Sequence, residues 1–266
     1  MNYPRVTLHN HTVFCDGKNT VEEMVKSAVS EGIQVLGFSG HSHLPFAPDW
    51  TMSKQGTEEY VAEIRRLQKL YEGRLDIRLG IEWDSLSQGD RSVFDYAIGS
   101  VHHVEKDGEI FSLDLSKDAF VTLVEEHYGG DYLALAADYY ESLADFLCRE
   151  EFDIIGHFDL ITKYNEGNAL FDADSLRYRT LAIDALDAVL EKDALFEINT
   201  GAMARGYRKA PYPAPFLLRR IAEKGGRVIL SGDCHAADKL LFGFETAADY
   251  AESCGVRALW RDYKEQ

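Results

Sequence analysis

Two short patterns bring metal-type donors within reach of one another. His9-Asn10-His11 sets two imidazoles two residues apart, and Asp233-Cys234-His235 sets a carboxylate and an imidazole at the same spacing. In extended backbone, residues i and i+2 point to one side, so each pair can approach a common ion. Imidazole together with carboxylate suits zinc, manganese or iron. Asp16, His41, Glu82, His102 and His157 offer further donors of the same kinds. Singly, each has an ordinary reading: a lone strand-end histidine is often a hydrogen-bonded loop residue, Glu82 could pair with Arg78 or Arg91, and Asp16-Gly17 is a common turn pair. Together they exceed what one ion needs, about four to six donors, and suit two or three divalent ions.

The elements that must hold these residues alternate along the chain. Short apolar runs at 5–9, 33–39, 75–83, 94–103, 152–159, 194–200 and 227–233 read as strands, and a weaker apolar piece, 256–259, comes last. Helices are expected between most of them. One starts at the capping box Thr20-x-x-Glu23 and runs to Gly32, and another spans 57–72. A helical stretch over 116–150 breaks at Gly129-Gly130. A helix capped by Asp174 reaches about 192, and one begins at Pro215 and stops at Gly225-Gly226. Apolar strands separated by helices indicate a parallel sheet covered on both faces, and seven or eight βα units suggest a TIM-like barrel. An open doubly wound sheet is the alternative, but GxGxxG and GxxxxGK[ST] loops are absent. Of the 9 histidines, only His127 falls inside a helix; the others sit at or just past C-terminal strand ends, the face on which a βα barrel builds its site.

Composition narrows the partners. The chain has 266 residues, 45% hydrophobic and 27% charged, ordinary for a globular protein, with no repeat or linker; it reads as one domain over 1–266. A formal charge of -17 repels a phosphodiester backbone, which speaks against a nucleic-acid partner and leaves small substrates open. The N-terminus is too polar for a signal peptide, and no apolar run approaches the roughly 20 residues of a membrane span, so no membrane role and a cytoplasmic location are expected. Cys15, Cys148, Cys234 and Cys254 lack framework spacing and read as reduced thiols; Cys15 and Cys234, although inside the motifs, read as packing residues. Oligomeric state is not legible.

The motifs His9-Asn-His11, Asp16-Gly, Ser39-Gly-His41, Gly80-Ile-Glu82, Ser100-Val-His102, Ile155-Gly-His157-Phe-Asp and Ser231-Gly-Asp233-Cys-His235, in that order, resemble those of the PHP (polymerase and histidinol phosphatase) family. The wording at 40–46, 99–104, 156–165 and 197–218 is similar to its monofunctional histidinol-phosphate phosphatase branch. The resemblance implies a distorted (β/α)7 barrel with the metal site at the C-terminal face of the strands. It implies one ion on His9, His11, Glu82 and Asp233, a second sharing Glu82 with His102 and His157, and a third on Asp16, His41 and His235. The implied reaction is hydrolysis of L-histidinol phosphate to L-histidinol and phosphate, a step of histidine biosynthesis, by attack of a metal-bridging hydroxide on phosphorus. Glu82, Asp233 and His235 are then the expected catalytic residues.

Phosphoryl oxygens also need a cation from the protein. Arg205, after the sixth strand, and Lys163, after the fifth, are the candidates, with Arg208 and Lys209 as substitutes for Arg205. His43 is a candidate for the substrate pocket, whereas His103, alternating with His102, is expected to pack outside the barrel. Two rivals remain: a PHP-type phosphoesterase acting on another small phosphate ester or nucleotide, and a metal-binding module without catalysis.

Overall fold

A computed structural model describes residues 3–47 and 49–260. Seven strands lie side by side in chain order and all run parallel. They begin with β1 (Val6–Thr7), β2 (Val35–Phe38), β3 (Asp76–Asp84) and β4 (Tyr96–Ser100). A separate antiparallel hairpin, β5 (His103–Lys106) and β6 (Glu109–Ser112), interrupts the series. The sheet resumes with β7 (Ile154–Ile155), β8 (Leu195–Asn199) and β9 (Arg227–Ser231). Beyond the last strand, Cys234 N donates to His9 O at 3.1 Å and His11 N donates to Cys234 O at 2.8 Å, so the first and last strands meet at their C-terminal ends. The result is the expected TIM-like barrel, distorted and closed at the end that carries the histidines.

Helices cover the outside. α1 (Val21–Glu31) and α2 (Lys54–Leu70) follow β1 and β2, whereas the β3–β4 crossover is a loop. α3 (Lys117–His127) and α4 (Tyr132–Arg149) precede β7, and α5 (Leu176–Val189) precedes β8. α6 (Gly201–Ala204) and α7 (Pro215–Lys224) lead to β9, and α8 (Phe244–Ser253) comes last. The α1 capping box forms: Glu23 N donates to Thr20 Oγ1 at 3.2 Å, and Thr20 N donates to Glu23 at 2.9 Å. Pro215 opens α7, where its missing N–H costs nothing, and Gly225 closes it in the left-handed conformation.

Most of the core lies between helices and sheet, and a smaller cluster fills the barrel: Val6, Leu8, Val35, Tyr96, Ile98, Ile154, Leu195 and Ile229. Tyr96 spans that interior and donates its hydroxyl to Leu8 O and to Phe38 O. A Cβ on Gly80 would stand 2.2 Å from the Tyr96 ring, so only glycine leaves room for this plug. The metal-type residues therefore sit on a filled barrel, not over a pore.

Four sequence expectations need correction. The fourth strand ends at Ser100, and His103 opens the hairpin that Asp107 (φ 54) and Gly108 (φ 81) turn. Helix α5 is capped by Ser175, whose side chain accepts from Tyr178 N, and not by Asp174. Helix α2 starts at Lys54, earlier than expected, because Ser53 accepts from Gly56 N. Residues 256–259 form no strand; Val256 and Leu259 are buried, and the segment is tied back by Trp260 N donating to Val228 O at 2.8 Å.

Candidate metal centre

The barrel brings the nine donors to one end. Glu82, from the end of β3, lies at their middle. Its Oε2 is 3.2 Å from His9 Nε2, 3.6 Å from His11 Nε2 and 2.9 Å from His41 Nδ1. Its Oε1 is 3.1 Å from His157 Nε2 and 3.3 Å from His102 Nε2. Asp233, past β9, sits 3.3 Å from His11 Nε2 and 3.8 Å from His9 Nε2. Its φ of 44 is unusual for a side-chain-bearing residue and turns the chain sharply at this point. Asp16 and His235 close the outer side, His235 Nε2 lying 3.0 Å from Asp16 Oδ2.

Donor atoms of three sets lie mutually within 4.8 Å: His11, Asp16, His41 and His235; His9, His11 and Asp233; and His41, Glu82 and His102. His41 thus spans two sets, with Nδ1 toward Glu82 and Nε2 at 3.8 Å from Asp16. The surroundings fit divalent cations. His9 Nε2, His11 Nε2 and Glu82 Oε2 are buried with no hydrogen-bond partner, a costly state for polar atoms unless a cation takes their lone pairs. His102 Nε2 and His157 Nε2 face each other at 3.2 Å. Four carboxylates, of Glu82, Asp84, Glu197 and Asp233, are buried around them.

Electrostatics agree with this crowding. Burial opposes charge on His9, but the carboxylates of Glu197, Glu82 and Asp233 outweigh it and raise its pKa well above the usual range. His11 behaves oppositely: burial, with the neighbouring His235 and His41, lowers it to about 3, which leaves its ring neutral and ready to ligate. Burial also disfavours the charged carboxyl of Glu82, yet His9, His41 and His102 hold it well below its ordinary value. Burial pushes the thiols of Cys15 and Cys234 up to about 12, so both are protonated at neutral pH, and Cys234 Sγ is spent on Ala236 O at 3.0 Å.

A cavity of about 240 Å³ opens over the cluster, lined among others by Asp16, His41, His102, His157, Asp233 and His235. Arg205 and Lys163 face the same space, with Trp50, Asp114, Leu115 and Tyr207. Arg205 Nη2 donates to Asp233 Oδ2 at 2.9 Å, and its Nη1 lies 2.9 Å from His235 Nδ1. Lys163 Nζ donates to Asp114 O at 3.0 Å and to Asp114 Oδ2 at 3.3 Å. The loop after β8 directs Arg208 elsewhere, onto Thr162 Oγ1 and over the Tyr212 ring at 4.4 Å.

His43 is not brought to this cavity. Its Nδ1 is 2.9 Å from Met52 O, and it lines a neighbouring hollow with Phe46 and Trp83. His103 is buried, stacks on Trp50 at 5.6 Å and lies 3.5 Å from Asp84. Sequence reasoning missed Asp84, Glu197 and Asp114. The first two carried a signal: Glu82-x-Asp84 and Glu197-x-Asn199 each repeat a polar residue with the strand period on an otherwise apolar strand. Asp114 is a loop acid among many and carried none.

The fold and the histidine–carboxylate cluster define a class, and comparison with known proteins agrees. The PHP domain family model matches residues 7–201, and the chain belongs to that family. A Deinococcus radiodurans protein named "Probable histidinol-phosphatase" is 31% identical, with 94% of each chain covered. The Bacillus subtilis protein named "Histidinol-phosphatase" is 26% identical over 92% of this chain and 98% of that one. The solved structure of a Lactococcus lactis histidinol phosphate phosphatase, complexed with zinc, L-histidinol and phosphate, superposes with a TM-score of 0.68. It is 20% identical and covers 97% of this chain and 96% of that one.

Proposed function

We propose that this protein is a metal-dependent phosphomonoesterase that hydrolyses L-histidinol phosphate to L-histidinol and phosphate. The observation that carries the reading is one small cavity in which the Glu82-centred donor cluster and two cations, Arg205 and Lys163, face the same space. Relatives named histidinol-phosphatase along nearly the full length of both chains support the substrate.

Three ions, of zinc, manganese or iron, would be held by His9, His11, Glu82 and Asp233, by Glu82, His102 and His157, and by Asp16, His41 and His235, with His11 within reach of the third set. Bound there, divalent ions supply a hydroxide nucleophile near neutral pH and Lewis-acid stabilisation of phosphoryl oxygens. The chain itself contributes charge and position. The Arg205 guanidinium offers a planar fork to the phosphate, and Asp233 and His235 hold it at the cavity wall. The Lys163 ammonium, held by Asp114, adds a second positive charge. At the same cavity the Trp50 and Tyr207 rings and the Asp114 carboxylate suit an imidazole and an ammonium. Residues 1–266 are read as one domain, and a biosynthetic phosphatase of this kind works in the cytoplasm; no helix among the described residues is long and apolar enough to cross a membrane.

The test is phosphate release by zinc-, manganese- and iron-loaded protein from L-histidinol phosphate, p-nitrophenyl phosphate and bis-p-nitrophenyl phosphate. L-Histidinol phosphate should give the highest kcat/KM. Faster turnover of the diester would overturn the reading in favour of a phosphodiesterase, faster turnover of the aryl phosphate would overturn the substrate assignment, and no hydrolysis with any metal would leave a binding module.

A further inference from the structure

β8 is the one strand of the sheet whose C-terminal end supplies none of the nine donors, yet its Glu197 carboxylate is buried against two of them. Glu197 Oε2 is 2.9 Å from His9 Nδ1, and Oε1 accepts from His157 N at 2.5 Å and from Asn199 Nδ2 at 2.7 Å. Asp84 repeats the arrangement on β3. Its Oδ2 lies 3.0 Å from His102 Nδ1 and accepts from His102 N at 3.1 Å, and Oδ1 accepts from Leu86 N at 2.9 Å. An ionised carboxylate only accepts hydrogen bonds, so the imidazole nitrogen that meets it must carry the proton.

We propose that Glu197 and Asp84 are positioning residues, which hold His9 and His102 with the proton on Nδ1 and the bare Nε2 turned to the metal centre. This rests on the metal centre proposed above and not on the identity of the substrate. The far side of each ring supports it. His9 Nε2 is 3.2 Å from Glu82 Oε2 with no hydrogen bond, and His102 Nε2 is 3.2 Å from His157 Nε2 and 3.3 Å from Glu82 Oε1. Carboxylates that orient a ligating imidazole also raise its basicity toward the metal. Glu197 reaches further, because its second oxygen holds the backbone of His157; one buried carboxylate thus ties together ligands from β1 and β7.

Amide variants reverse the chemistry at nearly constant shape. In Glu197→Gln the amide oxygen can satisfy His157 N and Asn199, which leaves an NH2 facing His9 Nδ1. That nitrogen must then accept, and the proton moves to Nε2, where it blocks ligation. Asp84→Asn does the same to His102. The experiment measures zinc stoichiometry, zinc affinity by chelator competition, and long-range 1H–15N spectra of zinc-loaded protein. Wild type should show His9 and His102 protonated at Nδ1, and both variants should bind zinc 10–100-fold more weakly with an unchanged far-UV spectrum. Nε2-protonated His9 or His102 in the wild type, or folded variants with wild-type zinc affinity, would overturn the proposal. If a variant does not fold, the wild-type spectra decide it alone. A wild type that takes up no zinc, manganese or iron would overturn the metal centre itself.

Discussion

Glu82 stands within hydrogen-bonding or near-contact distance of five imidazoles, those of His9, His11, His41, His102 and His157. No neutral side chain of the same size can bridge cations as a carboxylate does. Glu82→Gln should therefore nearly abolish turnover while circular dichroism stays native; near-normal kcat would show that Glu82 is not a bridging ligand. Arg205 differs in kind, touching Asp233 and His235 from the cavity side. Arg205→Ala should lower kcat/KM by about 10²–10³, or about 2.7–4 kcal/mol, the scale of losing one preorganised charge-stabilising donor. Its metal content should remain, as measured by elemental analysis; unchanged kcat/KM would shift the phosphate contact to Lys163. At this scale the cluster was legible because the histidines recur at strand ends and almost nowhere else, with Glu82 and Asp233 at strand ends beside them. His43, expected in the substrate pocket, lies outside the cavity, and the 41–43 spacing, like that of His9-x-His11, does not say which ring turns inward. Only the path of the loop toward Met52 O separates the two.

Elements decide how closely the donors can approach. β8 passes directly into α6, whose first residue, Gly201, packs under Asp233: a Cβ there would lie 2.6 Å from Asp233 Oδ2 and 2.7 Å from its Cβ. Gly201→Ala should push Asp233 outward, weaken metal retention and cut activity by at least tenfold, because sub-ångström ligand placement matters at such sites. Metal analysis and kinetics on the same preparation check it, and a variant with full metal and full activity would mean that α6 yields. The alternation of strand and helix was readable because parallel strands buried on both faces are near-continuous apolar runs. The hairpin was not, although Asp107-Gly108 is a strong turn pair. The run at 94–103 has no glycine, proline or turn pair between Ser100 and His103, so nothing local marks where the chain leaves the barrel. That exit matters for the site, because the hairpin leads directly to Asp114, which anchors Lys163 at the cavity.

At the scale of the whole molecule, charge is the organising fact. A net charge of -17 is concentrated inward as well as outward, with Glu82, Asp84, Glu197 and Asp233 buried around one centre among the imidazoles. Buried carboxylates are expensive unless compensated, and Arg205 is a single compensating cation on Asp233. Divalent ions bound there would relieve this repulsion in the folded state alone, since an unfolded chain does not hold the donors together. Metal removal should consequently cost stability as well as activity. For one ion present at a hundredfold over its dissociation constant, linkage stabilises the fold by about 2.7 kcal/mol. For chains of about this size each kcal/mol moves Tm by about 2–4 °C. Calorimetry of zinc-loaded protein against protein stripped with chelator should thus show a Tm lower by about 5–10 °C on stripping, restored by added zinc. The double variant Glu82→Gln, Asp233→Asn should show a smaller drop, because its amides neither bind ions nor need them, while the set of His11, Asp16, His41 and His235 is left intact. An unchanged Tm on stripping would mean that the imidazoles alone neutralise the buried acids, and the donor cluster would then be a structural network.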